Sequence, residues 1–155
     1  MPDDLKSCLE TLVGFYVQHW PAAASAKFTT EAHYGAVLPL SAAERTALAR
    51  HAGKIKACFY NAQRAATDDA DLRYVEGWVI SPDCPIPLDH AWIEDTQGRV
   101  IELTMRPVHT HGGKATIEPA IGALYYGVAI PAALISRVWL KDGLARPLIG
   151  DYLNG

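Results

Sequence analysis

The hydrophobic pattern follows a helical period in the first half of the chain. Apolar residues one helical turn apart predict a first helix over residues 3–20. Ser41-Ala-Ala-Glu44 is a capping box, and it predicts a second helix that ends at Gly53. A third apolar stripe predicts a helix that begins near Lys56 and ends in the polar stretch 67–71.

The second half of the chain is richer in strand patterns. Residues 74–80 are β-branched and aromatic and predict a strand. The proline-rich stretch 81–88 predicts a loop, because proline has no N–H for a sheet ladder. Two further strands, 90–95 and 99–105, are predicted to form a hairpin, and 124–130 predicts another strand. Helices followed by a largely antiparallel sheet indicate an α+β fold.

Length and charge narrow the possible classes of protein. The chain has 155 residues and is 50% hydrophobic, which predicts a single domain over residues 1–155. It has 14 Lys and Arg against 17 Asp and Glu, without a basic cluster, so we expect neither nucleic acid nor a membrane surface as a partner. The acidic amino terminus and the lack of a long apolar run predict a soluble, cytoplasmic protein. The oligomeric state stays open.

The three cysteines have an odd count and irregular spacing, which argues against a disulfide framework. Cys8 lies on the apolar side of the first helix and is expected to be a small buried residue. Cys84 is expected to be an incidental thiol in the proline-rich loop. Cys58 falls in the first turn of the third helix, where backbone amides and the helix dipole favour a thiolate. Cys58 is therefore the candidate nucleophile.

A useful thiol nucleophile needs a base and a group that orients the base. His90 begins a predicted strand, and Glu102 lies on the next one. Together with Cys58 they supply a thiol, an imidazole and a carboxylate in that order along the chain. This order predicts a Cys58–His90–Glu102 triad.

The triad depends on the length of the hairpin loop. A three-residue loop, Thr96-Gln-Gly98, places Glu102 diagonal to His90 on the same sheet face, at a distance that a glutamate can span. A two-residue turn points Glu102 away from His90, and Glu94 is then the reserve carboxylate. The sequence leaves both registers open, and the triad requires the odd loop.

These segments resemble the transglutaminase-like branch of the papain-like cysteine superfamily. The resemblance rests on Cys58 at a helix start, His90-Ala-Trp92 on a strand, and the following Gly-x-Val-Ile-acid-x-Thr strand. It implies a papain-like (transglutaminase-like) domain with N-terminal helices packed on a mainly antiparallel sheet. It also implies that Cys58 is the nucleophile, His90 the general base and then acid, and Glu102 the orienting group. Glu102 stands where the family usually has aspartate.

Acyl transfer also requires donors aimed at the oxyanion. The backbone amide of Cys58 is one candidate. Asn61, one helical turn further on, is a second if it faces the cleft, and capping or core bonding is the alternative. Glu76 and Trp92 are candidates for lining the cleft, with packing as the alternative for Trp92.

The segment His109-Thr-His111 allows two interpretations. Alternate positions of an extended segment share a side, so the two histidines could begin a metal site. The neighbouring glycines instead favour a loop near the cleft. We expect no metal and no cofactor.

The sequence thus predicts a cysteine-dependent hydrolase that cleaves an amide or isopeptide bond through a thiol acyl-enzyme. The substrate would be a protein, a peptide or a small acyl compound. The same triad would serve an acyltransferase, a transamidase or a deamidase. A binding module that keeps the fold without turnover and a metal-binding domain are the alternatives from other classes.

Overall fold

The computed structural model describes residues 2–54, 56–105 and 117–155. These residues form six α-helices and a five-stranded sheet. No helix among them is long and apolar enough to cross a membrane. The elements in chain order are α1 (Pro2–Val17), α2 (Ala22–Glu31), β1 (His33–Tyr34), α3 (Ala42–Leu48), a 3-10 turn (Ala49–His51), α4 (Cys58–Asp68), β2 (Arg73–Ser81), β3 (Cys84–Glu94), β4 (Val100–Ile101), β5 (Leu124–Ile130), α5 (Ala132–Asp142) and α6 (Ile149–Asn154).

The strands lie in the order β1-β5-β2-β3-β4, and each named pair is antiparallel. The predicted α+β class is confirmed. The capping box at Ser41 is also confirmed, because Ser41 and Glu44 each bond the backbone amide of the other. The predicted order, in which helices precede the sheet, is incomplete, because the helices α5 and α6 follow β5.

The segment after β1 curls the sheet into a nearly closed barrel. Gly35 donates its amide N–H to the carbonyl of Tyr125 in β5, at 2.9 Å. One residue later, Ala36 donates to Gly98 at 2.9 Å and accepts from Val100 at 2.8 Å. This segment therefore joins β5 on one side to the β4 end of the sheet on the other, through a parallel bridge between Ala36 and Arg99. The sheet consequently has an inner and an outer face.

The two faces carry separate hydrophobic clusters, because side chains alternate along each strand. The outer face packs against the helices, where Tyr74 bonds Gln63 of α4 and the ring of Trp78 lies against those of Tyr16 and Phe28. The inner face holds a smaller cluster, whose buried members are Val75, Val79, Trp92, Val100, Ala123 and Tyr125. His90 belongs to the inner face, because it lies on alternate positions with Trp92.

Two glycines let β2 and β5 approach each other closely, and one of them makes room for Trp92 inside the barrel. Gly77 and Gly127 are directly paired on β2 and β5. A Cβ atom at Gly127 would lie 2.9 Å from the ring of Trp92 and 2.1 Å from the carbonyl oxygen of Glu76. Side chains at these positions would clash with the neighbouring strand, so the narrow barrel requires glycine here.

A buried carboxylate joins the first strand to the rest of the barrel. Glu94 accepts hydrogen bonds from His33 (2.9 Å), Arg73 (2.7 Å) and the indole of Trp92 (3.1 Å). The hydrogen bond and the charge of Glu94 raise the pKa of His33, although burial opposes this. Burial would raise the pKa of Glu94, but His33, Trp92 and Arg73 lower it below its usual value. Glu94 therefore binds His33, and it is not the carboxylate partner of His90.

The predicted loop over residues 81–88 is wrong, because β3 already begins at Cys84. Pro85 and Pro87 therefore lie inside a strand. Strand β4 pairs only with Ile93 and Glu94, so the first half of β3 has no β4 residue beside it. A missing N–H costs little at such an edge, and the pairing with β2 is irregular in this part.

The predicted burial of Cys8 is also wrong. The first helix exists, but Cys8 is exposed, whereas Leu9 and Val13 are buried. The buried face of α1 is centred on those two residues, and Cys8 lies about 100° away from Leu9 around the helix.

Candidate active site

Cys58 is the first residue of α4, as the sequence predicts. Lys56, two residues earlier, has a φ of 67°, in the left-handed region that non-glycine residues seldom adopt. This turn brings the chain sharply into the helix. The Cys58 amide has no acceptor within α4, because a helix leaves its first amides unbonded internally. The Cys58 side chain is only partly buried, so a reagent has access to it.

The hairpin after β3 has the odd loop that the triad requires. Ile93 pairs with Ile101, and Glu94 pairs with Val100. Asp95 then donates to the carbonyl of Arg99 at 3.1 Å, which leaves residues 96–98 as the loop. Of the two registers that the sequence leaves open, the structure has the one that the triad requires, and it places Glu102 on the same side of the sheet as His90.

Glu102 is in direct contact with His90 inside the barrel. The distance from His90 Nε2 to Glu102 Oε2 is 2.8 Å, and the side chains are 3% and 1% exposed. Tyr125 donates its hydroxyl to the same oxygen at 2.7 Å. The other oxygen accepts the amides of Thr104 (3.0 Å) and Met105 (2.8 Å). Four donors from the described part of the chain thus satisfy the buried carboxylate.

The Cys58 side chain lies beside the His90 imidazole, because both line one cavity and the thiol contributes to the pKa of His90. Since Nε2 binds Glu102, the ring nitrogen left for the thiol is Nδ1. Burial alone would lower the pKa of His90. The charge of Glu102 and the hydrogen bonds to Cys58 and Glu102 outweigh burial and raise this pKa to about 9. His90 is therefore protonated at neutral pH.

Glu102 is ionised in the same range. Burial would raise its pKa, but the charge and hydrogen bond of His90, with the amides of Met105 and Thr104, lower it below the usual value. The imidazole and the carboxylate form a buried ion pair.

A cavity of about 470 Å³ opens above this pair. Cys58 and His90 both line it, so the thiol and the imidazole face one space. Leu88 and Met105 contribute aliphatic walls. Thr104 and the charged residues Lys56 and Asp89 complete the lining. A substrate could reach the sulfur and the imidazole through this cavity.

Asn61 does not supply an oxyanion donor, so this candidate requires correction. Its side chain is 1% exposed, and its amide nitrogen donates to the Lys54 carbonyl at 2.9 Å and to Thr104 Oγ1 at 2.8 Å. Both N–H donors are thereby used. Asn61 instead ties α4 to the segment that carries Glu102.

Glu76 does not line the cleft, because it lies on the other face of the sheet. Gly77 is paired with His90, so the neighbouring Glu76 points outward. It accepts the amides of Leu148 and Ile149 and thereby caps the start of α6. Burial raises the pKa of Glu76. Its role is structural.

Trp92 also does not line the cavity, because it is 0% exposed. Its indole N–H is used by Glu94. Its ring lies against His90, with the centroids 6.3 Å apart and the planes 21° from parallel. Trp92 therefore packs below His90 and limits the positions that the imidazole can take.

Sequence reasoning missed Tyr125 as a partner of the site. The strand that contains it is predicted from the sequence, and the structure confirms this strand. The ring centroid of Tyr125 lies 6.2 Å from that of His90 and 5.2 Å from that of Trp92. Alternation along β5 shows that Tyr125 and Tyr126 face opposite sides, but it cannot show which one meets Glu102.

The alternative metal site cannot be compared with the structure, because His109 and His111 lie outside the described residues. Within the described ranges, no group of three or more His, Cys, Asp or Glu side chains could hold a metal ion.

Comparisons of the chain with protein-family models, with curated proteins and with solved structures found no match in any of the three.

Proposed function

We propose that the protein is a cysteine-dependent hydrolase of the transglutaminase-like, papain-like type, acting on an amide or isopeptide bond. The observation that supports it best is the buried contact of His90 with Glu102 at 2.8 Å, with Cys58 and His90 lining the same cavity. A thiol, a base and an orienting carboxylate in contact are the parts of thiol acyl transfer. The cavity gives a carbonyl group access to the sulfur.

In the first half-reaction, the Cys58 sulfur attacks the substrate carbonyl as a thiolate, with the proton held on His90. A C–S bond forms, and the carbonyl π electrons move to the oxygen. The amide of Cys58, at the positive end of α4, is the nearest candidate donor for this oxyanion. As the oxyanion collapses, the C–N bond breaks and His90 gives its proton to the leaving nitrogen. The product is a thioester on Cys58.

In the second half-reaction, neutral His90 takes a proton from water, and the water oxygen attacks the thioester. The C–S bond breaks when this intermediate collapses. An acid leaves, and the sulfur again becomes the thiolate partner of the protonated imidazole. An amine in place of water would give acyl transfer from the same intermediate.

Acetylation by p-nitrophenyl acetate tests this proposal. We expect a burst of nitrophenol equal to the enzyme concentration, followed by slower turnover. Peptide mapping of acid-quenched protein should find the acetyl group on Cys58. Cys8→Ser and Cys84→Ser should keep the burst, and Cys58→Ser should lose it.

Slow acetylation of all three cysteines without a burst would contradict the hydrolase. That result would support a binding module that keeps this arrangement of side chains.

A further inference from the structure

We infer that Tyr125 is a positioning residue that fixes the Glu102 carboxylate for its contact with His90. This inference rests on the proposed function for its catalytic meaning, and on the geometry of the barrel for its physical basis. Tyr125 is not among the residues that line the cavity, and its hydroxyl donates to Glu102, so it would act on the site through that carboxylate.

The hydroxyl of Tyr125 and the imidazole of His90 share one acceptor. Tyr125 lies 2.7 Å and His90 2.8 Å from Glu102 Oε2. The Thr104 and Met105 amides hold the other oxygen. With both oxygens held, the carboxylate cannot rotate away from His90 without losing a hydrogen bond.

Glu102 needs this support because the strand does not extend to it. Strand β4 ends at Ile101, and the Glu102 amide donates to Ile117 rather than to β3, at 2.8 Å. A glutamate also has one more rotatable torsion than an aspartate. Without Tyr125, the Thr104 and Met105 amides would still keep Glu102 beside His90, but Oε2 would have only His90 as a donor and would be held less firmly. Tyr125 supplies the second donor from β5, across the barrel.

The hydroxyl also shares the negative charge that acts on His90. Burial and the charge of Glu102 raise the pKa of Tyr125 well above its usual value, so it stays a donor across the neutral range. Without this donor, the charge on Oε2 would act more fully on the imidazolium. The other groups around His90 are Cys58 on α4 and the cavity residues Lys56 and Asp89, which a change at Tyr125 leaves in place.

Tyr125→Phe should therefore raise the midpoint of the His90 titration above its wild-type value, measured by NMR on histidine-labelled protein. We also expect about tenfold slower acetylation of Cys58 by p-nitrophenyl acetate, because the imidazole is held less firmly. Tyr126→Phe is the matched control. Tyr126 is the next residue of β5, but it packs outside the barrel against Phe28 and Tyr34. It should leave both values unchanged.

A second variant changes the donor without changing its shape. 3-Fluorotyrosine introduced at position 125 is a stronger hydrogen-bond donor, so the His90 midpoint should fall below the wild-type value. The inference is overturned if neither change at Tyr125 moves the midpoint, or if Tyr126→Phe moves it equally. The titration does not require turnover. A wild-type protein without a burst would therefore contradict the hydrolase, and the NMR result would still decide the role of Tyr125.

Discussion

Replacing His90 by alanine should slow the alkylation of Cys58 by iodoacetamide at about pH 6 by about 100-fold. An ordinary thiol, with a pKa of about 8.5, is almost fully protonated at this pH and reacts slowly. His90 carries a proton there, because its pKa is raised to about 9, and it can stabilise the Cys58 anion by charge and hydrogen bonding. Alanine at position 90 removes both the positive charge and the hydrogen bond. Mass spectrometry of the Cys58 peptide over time measures the rate.

His33→Ala is the matched control for this variant. It removes the other histidine–glutamate contact of the barrel, 2.9 Å from His33 to Glu94, and leaves the residues of the cavity unchanged. If both variants slow alkylation equally while keeping the wild-type circular dichroism spectrum, the effect belongs to the barrel as a whole. The specific role of His90 would then be contradicted.

The second large effect is expected from Glu102→Gln. The amide is neutral, so the pKa of His90 should fall from about 9, because burial lowers it and the charge of Glu102 that opposes burial is lost. The amide would also turn an N–H toward His90 Nε2, which favours the neutral ring. NMR titration of His90 measures this midpoint. Glu94→Gln should leave it near the wild-type value, because Glu94 contacts His33 and not His90.

The raised pKa of His90 also makes the free energy of unfolding depend on pH. A histidine with a raised pKa stabilises the fold fully below its unfolded pKa of 6.5, and this contribution is lost as the pH rises through about 9. At roughly 1.4 kcal/mol per pKa unit, wild type should lose about 3 kcal/mol of unfolding free energy over that range. Glu102, whose pKa is lowered, contributes above its ordinary 4.5 and loses its contribution on acidification. The His90–Glu102 pair therefore stabilises the fold most between pH 4.5 and pH 6.5, the ordinary pKa values of the two groups.

Urea unfolding of wild type and Glu102→Gln near pH 6.5 and above about pH 9 tests this dependence of stability on pH. The variant should be less stable than wild type near pH 6.5, and its stability should fall less than that of wild type as the pH rises through about 9. An equal fall in both proteins would contradict the ion pair.

The sequence was sufficient for the parts of the site that local signals determine. The apolar stripe of α4 placed Cys58 in a first helical turn, and the structure begins the helix there. The turn residues 96–98 allowed the odd loop, and the pairing of Ile93 with Ile101 confirms it. Within one hairpin, loop length fixes which side chains share a face. Glu102 could therefore be predicted as the partner of His90.

Other parts of the site depend on how strands that are far apart along the chain lie next to one another. Strand alternation puts Glu76 and Trp78 on one face, and the pairing of Gly77 with His90 turns that face outward. An irregular hairpin with two prolines inside β3 sets this register, and loop composition alone cannot predict it. Tyr125 reaches Glu102 because β5 lies next to β2. Single-strand patterns do not contain this adjacency.

The hydrophobic pattern of the sequence also does not predict that the sheet closes into a barrel. Residues 21–40 have no clear period, and His33 had no recognisable partner there. The structure pairs His33 with Glu94, which lies 61 positions further along the chain. One polar pair of this kind leaves no periodic signal, although it brings β1 to the rest of the barrel.

The most direct test of the central claim compares the three thiols within one molecule. Cys8 is exposed, whereas Cys58 and Cys84 are partly buried, so accessibility alone predicts that Cys8 reacts first. Wild-type protein at about pH 6 would be treated with less than one equivalent of iodoacetamide, and each cysteine peptide quantified by mass spectrometry. The account predicts that nearly all the label is on Cys58. Label shared equally among the three, or found mainly on Cys8, would contradict an anionic sulfur held by His90.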